Sequence, residues 1–319
     1  MDKKFIAIFA IIIIAFLAVT MNLVNSDPSN HPVEDNVVRI GHLPSDHDTA
    51  LFVAKEKKMF EKEGLTVELT QFSNGGDLIT AMASGDIDVG YAGIAPAMSS
   101  ISQKVPIKIV SGAQLEGSSI IASKKSKINT VADLKGKNVA TPGEATIQNI
   151  LLIYALNQSG VSPNKVEFTT MKAAQMTDAL RAGKIDAMII WEPYASIAVK
   201  SGAGKLVETS GEIMPKHPCC CVVAREDFIK HHKDSLKKVL KAHKEATEFN
   251  SENPSEAAKC LPDDVVPDPA LQKDVIANTT FIYGLDDNYR QEVMNFMNVE
   301  VHFGILDKPL TENQLFADI

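Results

Sequence analysis

The chain of 319 residues is 45% hydrophobic and 23% charged, so it is long enough to bury two ordinary cores. Its formal net charge of −8 argues against nucleic acid as a partner, because binding phosphates takes clustered lysines and arginines. Three of its four cysteines are consecutive, Cys219 to Cys221, and adjacent cysteines are poorly placed to bond to each other, which argues against a disulfide framework.

The first 36 residues have the pattern of an export segment. Lys3 and Lys4 precede an uncharged apolar run of about 20 residues from Phe5 to Val24, and a polar stretch follows. We expect residues 1–26 to be a signal peptide or membrane anchor and residues 27–36 to be a tether. The run is long enough to span a bilayer, so cleavage and anchoring both remain open. We therefore expect an exported protein, in the periplasm or at the outer face of the cytoplasmic membrane.

The pattern after the tether alternates short apolar strands with amphipathic helices. Gly64 ends the first predicted helix, and the glycines after Asn74 open the second. Two further apolar runs then lead toward a second lobe. The predicted elements are strand Val37–Gly41, a helix over about Thr49–Glu63, strand Leu65–Phe72, a helix from Asn74 to Ser84, strand Ile87–Tyr91, and the runs Val105–Ala113 and Ser119–Ser123.

The same alternation restarts near Thr130 and ends in two return strands and a helical tail. The second unit is predicted as strand Asn138–Thr141, a helix over about Ala145–Ser159, strand Lys165–Thr169, helix Ala173–Ala182 and strand Ala187–Ile190. The return strands are Val207–Thr209 and Cys219–Ala224.

A nine-residue phrase occurs twice in this pattern, at Ala81–Val89 and again 98 residues later at Ala179–Ala187. Each copy reads as a helix end, a left-handed glycine cap and an Asp that leads into a buried strand. Two copies of one unit predict an α/β protein with two similar lobes and a ligand cleft between them. We expect lobe 1 at 37–118 and 222–319, lobe 2 at 119–221, and a two-strand hinge near 114–123 and 217–224.

Several phrases resemble those of one family, the nitrate/sulfonate/taurine-type substrate-binding proteins of ABC importers. The resemblance runs from about Val38 to Pro262. The phrases are Ala54 to Leu65 followed by Val67-Glu68, the two Gly-x-Ile-Asp copies, Ala140-Thr141-Pro142-Gly143, Trp191-Glu192-Pro193-Tyr194 and Ala224 to Ile229.

The resemblance implies a type II periplasmic-binding-protein fold. It also implies capture of a small-molecule solute and its delivery to an ABC permease in the membrane. We expect the protein to be a monomer. No covalent chemistry is implied, so we expect no catalytic residue, no cofactor and no metal.

Four turns between a strand and the next helix are expected to face the cleft. Such turns present unpaired N–H groups, and the helix dipole there favours negative charge. Ordinary capping, a solvated loop and, for Trp191, core packing are the alternatives for these residues. The predicted ligand-binding residues are His42, Ser45, Asp46, Asn74, Gly75, Gly76, Gly93, Gln114, Thr141, Glu144, Thr146, Trp191, Glu192 and His217.

Charge in these turns suggests a zwitterionic ligand. None of the four arginines falls in them, so an oxyanion would be held by N–H groups and hydroxyls rather than by a guanidinium. Three acids, Asp46, Glu144 and Glu192, do fall in them and would suit a donor or a positive end. An aminosulfonate such as taurine satisfies both demands better than nitrate does.

An enzyme is the main alternative. His217 and the run Cys219 to Cys221 resemble, in part, the cysteine cluster of the fungal-type thiamine-pyrimidine synthases, which holds iron. Pro218 separates the His from the cysteines, and Val223 stands where that pattern has another Cys. Buried thiols acting as small hydrophobes are the simpler interpretation. Binding of a thiamine-precursor pyrimidine without any reaction is an intermediate possibility between a solute receptor and a synthase.

An anchored sensor is not expected, because no output segment follows Ile319.

Overall fold

The computed structural model describes residues 36–263, 265 and 268–319. The expected signal or anchor segment and all but the last residue of the expected tether lie outside the described residues. Among the helices that are described, none combines the length and the apolar character needed to cross a bilayer.

Eleven strands in the described residues form two sheets. The first sheet has the order β11-β4-β10-β3-β1-β2, and the second has the order β7-β6-β8-β5-β9. The strands are β1 Val37–His42, β2 Thr66–Gln71, β3 Val89–Gly93, β4 Ile107–Leu115, β5 Ser118–Ser123, β6 Asn138–Thr141, β7 Glu167–Thr170, β8 Ala187–Trp191, β9 Gly204–Thr209, β10 Pro218–Arg225 and β11 Thr280–Phe281.

Helices connect these strands. They are α1 Thr49–Glu56, α2 Met59–Lys62, α3 Gly75–Ala83, α4 Ile94–Ser102, α5 Ile147–Gln158, α6 Ala173–Arg181, α7 Tyr194–Lys200, α8 Ser210–Ile213, α9 Glu226–His231, α10 Lys233–Glu252, α11 Pro254–Ala258, α12 Pro269–Ala277, α13 Asp287–His302 and α14 Glu312–Leu315. Short 3₁₀ turns cover Asp46–Asp48, Val131–Leu134 and Pro163–Lys165.

Both sheets contain the same arrangement of three parallel strands. In the first, β1 pairs in parallel with β2 and β3; in the second, β6 pairs in parallel with β7 and β8. The strand beside each triplet is antiparallel and comes from the other half of the chain, β10 in the first sheet and β5 in the second. The predicted pair of similar α/β lobes is thus confirmed, and we call them lobe 1 and lobe 2 after these sheets.

The repeated phrase makes the same contacts in both copies. Gly85 and Gly183 adopt positive φ of 88° and 70°, as expected for left-handed caps. Asp88 then accepts a hydrogen bond from the backbone N–H of Arg39 at 3.0 Å. Asp186 accepts one from the N–H of Asn138 at 2.9 Å. Each Asp therefore ties the start of the third strand of its lobe to the start of the first.

At both places where the chain passes from one lobe to the other, strand pairing puts the boundary at a different residue from the expected one. Ser118 pairs with Trp191 in the second sheet, although it was expected to end lobe 1. Cys220 and Cys221 pair with Gly93 and Ala92 in the first sheet, although they were expected in lobe 2. An apolar strand can join either sheet, so composition alone did not indicate which neighbours β10 would choose.

The first predicted helix is divided in two. Lys58 has a left-handed φ of 57°, which separates α1 from α2. A non-glycine residue rarely adopts this conformation, so the apolar periodicity across Lys58 gave no warning of the break.

The carboxyl group of Glu300 on α13 makes stability depend on pH. Glu300 is 1% exposed, and neither side-chain oxygen has a hydrogen-bond partner in the described part of the chain. Burial raises its pKa to about 9. A folded-state pKa above the unfolded one gives stability that is complete below about pH 4.5 and is lost as pH rises toward 9.

Glu300→Gln should remove this loss. The free energy of unfolding of wild type is expected to fall between pH 5 and 8 by up to about 1.4 kcal/mol per pH unit relative to the variant. Urea unfolding at several pH values measures the difference. Glu245→Gln, at an exposed position on α10, is the control and should follow wild type. Parallel curves for wild type and Glu300→Gln would contradict the assignment.

Candidate functional site

A small cavity lies between the two sheets, and we call it the cleft cavity. Its volume is about 40 Å³, room for roughly three water molecules at 10–15 Å³ each, so a larger solute needs its walls to part. Lobe 1 supplies Leu43, Ser45, His47, Asp48, Asn74, Gly75, Tyr91, Gly93, Pro96, Cys219 and Cys220; lobe 2 supplies Thr146, Ile147, Gln148 and Trp191.

Two helices begin at this cavity, one from each lobe. The Asn74 side chain accepts from the N–H of Asp77 and caps α3. The Thr146 side chain accepts from the N–H of Asn149 and caps α5. The first N–H groups of a helix have no partner within the helix, and the helix dipole makes that end positive. The cleft cavity therefore has two positive helix ends facing one small space.

Trp191 lies where β8 ends and adds a side-chain donor. It is 6% exposed, and its indole Nε1 has no hydrogen-bond partner among the described residues. Its ring meets that of Tyr194 edge-on. A buried donor without a partner is costly, so this N–H is suited to a ligand atom.

Asp48 is the acidic side chain that lines the cleft cavity. One of its oxygens accepts from the backbone N–H of Leu43 at 2.9 Å. Burial raises the pKa of Asp48 to about 7, against the opposing effect of this hydrogen bond. Its oxygens can accept a hydrogen bond from a cationic group of a ligand, whose charge would in turn favour the ionised form of the carboxyl.

Hydrogen bonds also join the lobes at this point. Ser45 Oγ donates to the carbonyl oxygen of Glu192 at 3.1 Å. The carbonyl oxygen of Gly117, between β4 and β5, accepts from the backbone N–H of Glu192 at 3.0 Å and contacts the His47 ring at Nε2, also at 3.0 Å. The lobes are therefore in close contact around the crossing strand.

Two cysteines complete the lining. His47 Nδ1 lies 3.6 Å from Cys219 Sγ and 3.4 Å from Cys220 Sγ. The hydrogen bond that Cys220 donates to Cys219, together with burial, raises the pKa of Cys220 well above its usual range. The Cys221 side chain instead contacts the carbonyl oxygen of Ala92.

The structure brings together six of the residues that the sequence predicts as ligand contacts. These residues come from both lobes, and their contact with a ligand remains a prediction. They are Ser45, Asn74, Gly75, Gly93, Thr146 and Trp191.

The remaining lobe 1 predictions are not among the residues that line the cleft cavity. His42 packs edge-on against Phe52, and His217 stacks on Phe296. Asp46 accepts a hydrogen bond from Gln272 of α12 at 3.0 Å. Gln114 bonds to the carbonyl oxygen of Leu115, and Gly76 stands one residue beyond the lining.

Three lobe 2 predictions are also placed elsewhere. Thr141 and Glu144 line a separate groove beside Phe168. The Glu192 carboxylate accepts from the N–H of Ser196 and so caps α7 rather than facing the cleft cavity. Local capping and the direction of the preceding strand decide where these side chains point, and neither can be inferred from the position of the turn in the sequence.

Several residues that line the cleft cavity were not predicted from the sequence. His47 and Asp48 follow the predicted Ser45 in the same turn, and their polarity was the available signal. Gln148 is a polar residue in the first turn of α5. Cys219 and Cys220 were interpreted as core thiols, and no pattern indicated that they meet His47.

Comparison with known proteins decides the family. The model of the NMT1-like family matches residues 31–261, more than half of the chain. The chain belongs to the NMT1-like family. The taurine-binding periplasmic protein of Escherichia coli K12 is 32% identical over 205 residues, 63% of this chain and 63% of that protein's length.

Solved structures show the same fold. The alkanesulfonate-binding protein SsuA of Xanthomonas axonopodis pv. citri, bound to MOPS, has a TM-score of 0.80 at 21% identity and covers 89% of this chain and 99% of its own. The periplasmic aliphatic sulphonate binding protein SsuA of Escherichia coli has a TM-score of 0.75 at 21% identity, with 89% and 92% covered. The fold is that of type II periplasmic binding proteins.

Proposed function

We propose that this NMT1-like protein is the extracytoplasmic solute-binding component of an ABC importer and captures a small aminosulfonate, with taurine as the first candidate. Support comes from the relatives, which are a taurine-binding periplasmic protein and binding proteins for alkanesulfonates. The protein then acts outside the cytoplasm as a monomer. Its N-terminal run directs export and is either removed afterwards or kept as an anchor.

The hydrogen-bond donors that line the cleft cavity are the main support for this proposal. The N-termini of α3 and α5 line the cleft cavity together with Trp191, whose indole N–H has no partner among the described residues. A sulfonate offers three oxygens that can accept from such donors. The four arginines are engaged elsewhere, with Asp88, Asp178, Asp227 or Asp318, so neutral donors and helix ends hold the anion.

The lining of the cleft cavity also contains a group that suits an ammonium. Asp48 supplies the carboxyl oxygens there, in place of the three acids that the sequence suggested. A molecule with a sulfonate at one end and an ammonium at the other matches both kinds of group, the N–H donors and the Asp48 carboxyl. Nitrate satisfies only one.

Binding in this account is coupled to closure. The volume of the cleft cavity requires the lobes to part before a solute enters. The solute then bridges both lobes and favours the closed form, which docks on the permease.

A calorimetric panel tests the proposal. Taurine should bind with one site per chain and more tightly than ethanesulfonate, nitrate or a thiamine-precursor pyrimidine. Asp48→Asn should reduce taurine affinity about 10-fold, because the pair of charges is lost, while ethanesulfonate affinity changes little. Equal affinities for nitrate and taurine, or tightest binding of the pyrimidine, would overturn the aminosulfonate assignment.

A further inference from the structure

Three soft or borderline donor atoms meet at the wall of the cleft cavity. They are His47 Nδ1, Cys219 Sγ and Cys220 Sγ, and we call them the thiol site. The two N···S separations are 3.6 and 3.4 Å, and the S···S separation is 3.9 Å. Zinc bonds of about 2.0 Å to nitrogen and about 2.3 Å to sulfur, in a tetrahedron, give edges of roughly 3.6 Å and 3.8 Å. The three donors are thus spaced as three ligands of one tetrahedral ion.

The imidazole is oriented for this role. His47 Nε2 lies 3.0 Å from the carbonyl oxygen of Gly117, which can only accept, so Nε2 carries a proton and the neutral ring has its lone pair on Nδ1. A backbone carbonyl that fixes the tautomer of a histidine is the usual support of a metal ligand.

An irregularity in β10 places both sulfurs on the same side. A regular strand sends neighbouring side chains to opposite faces. The pairing of β10 with β4 shifts register between Pro218 and Cys220 and again between Cys220 and Cys221. Both Cys219 and Cys220 therefore reach His47, while Cys221 contacts Ala92.

We propose that His47, Cys219 and Cys220 bind one divalent metal ion of the zinc type, with its fourth coordination position facing the cleft cavity. All three residues line that cavity, which gives the fourth position access to water or to a donor atom of a solute. A neutral imidazole and two thiolates are a ligand set that zinc accepts.

Charge favours a divalent ion here. Binding releases the two S–H protons to solvent and forms one metal–nitrogen and two metal–sulfur bonds, with no redox change. Two thiolates then balance the 2+ charge, and the buried thiol site gains no net charge. A monovalent ion would leave one negative charge uncompensated among buried residues.

Zinc titration of the full chain, kept reduced and in competition with a chromogenic chelator, is the test. Wild type should bind one zinc ion and release two protons. Cys219→Ser and Cys220→Ser should each weaken binding at least 100-fold, as should His47→Gln. Cys221→Ser is the matched control, being equally buried on the same strand but outside the thiol site, and should bind as wild type does.

A second readout needs no variant. Cobalt added to wild type should give the charge-transfer absorption of thiolate ligands and the visible bands of a tetrahedral ion. Absence of both signals, together with absence of zinc binding, overturns the proposal whatever the variants do. Equal loss of zinc binding in Cys221→Ser or Cys260→Ser overturns it as well. The titration contains no solute, so its outcome is separate from that of the solute panel.

Discussion

Replacing Trp191 by Phe is expected to weaken solute binding about 10- to 100-fold without unfolding the protein. The variant keeps an aromatic wall but loses the indole N–H, which has no other partner among the described residues. A hydrogen bond to a charged group contributes about 1.5–3 kcal/mol, which corresponds to this change in affinity. Calorimetric titration with the best solute of the panel measures it.

Thr141→Val is the control for this prediction. Thr141 also ends a strand of lobe 2, but it lines the groove beside Phe168 and not the cleft cavity. Its replacement should leave affinity within about 2-fold of wild type, which is under 0.5 kcal/mol. A larger effect of Thr141→Val than of Trp191→Phe would move the binding site to the other groove.

Asp88→Ala is expected to have the largest effect on stability, a loss of about 3–5 kcal/mol in the free energy of unfolding. The Asp88 carboxylate is fully buried. It accepts from the backbone N–H, Nε and Nη2 of Arg39 and lies 3.3 Å from Arg225 Nη2. Removing it leaves two guanidinium groups without their shared partner. Guanidinium unfolding of wild type and variant gives the difference.

The repeat supplies a matched control for Asp88. Asp186 occupies the same position in lobe 2, is half-buried and accepts from the backbone N–H of Asn138. Asp186→Ala should cost only about 1 kcal/mol, the contribution of a single hydrogen bond. If the two substitutions cost the same, the arginines add nothing to the role of Asp88.

The doubled architecture was predictable because the repeated phrase has a local physical cause. Gly85 and Gly183 need positive φ, and the Asp that follows each repeat glycine by three positions ties two strands together. Such constraints act within a few residues and across one sheet, so they are visible in the sequence. The helix starts at Gly75 and Ile147 were recognisable for the same reason, through their caps.

The directions of the side chains in the turns were not predictable. Glu192 caps its own helix and Asp46 bonds to Gln272 more than 200 residues away, and neither choice is encoded in the turn itself. The thiol site depends on irregular pairing of β10 with β4, which only the assembled sheet determines. Long-range pairing therefore decided which polar residues reach the cleft cavity.

Intrinsic fluorescence tests most directly the central claim that a solute binds between the lobes against the starts of α3 and α5. Trp191 is the only tryptophan of the chain and lines the cleft cavity, so the emission reports on the surroundings of this one residue. Taurine should change the emission saturably, with the same dissociation constant that calorimetry gives. Calorimetric binding of taurine without any change in Trp191 emission would contradict the account.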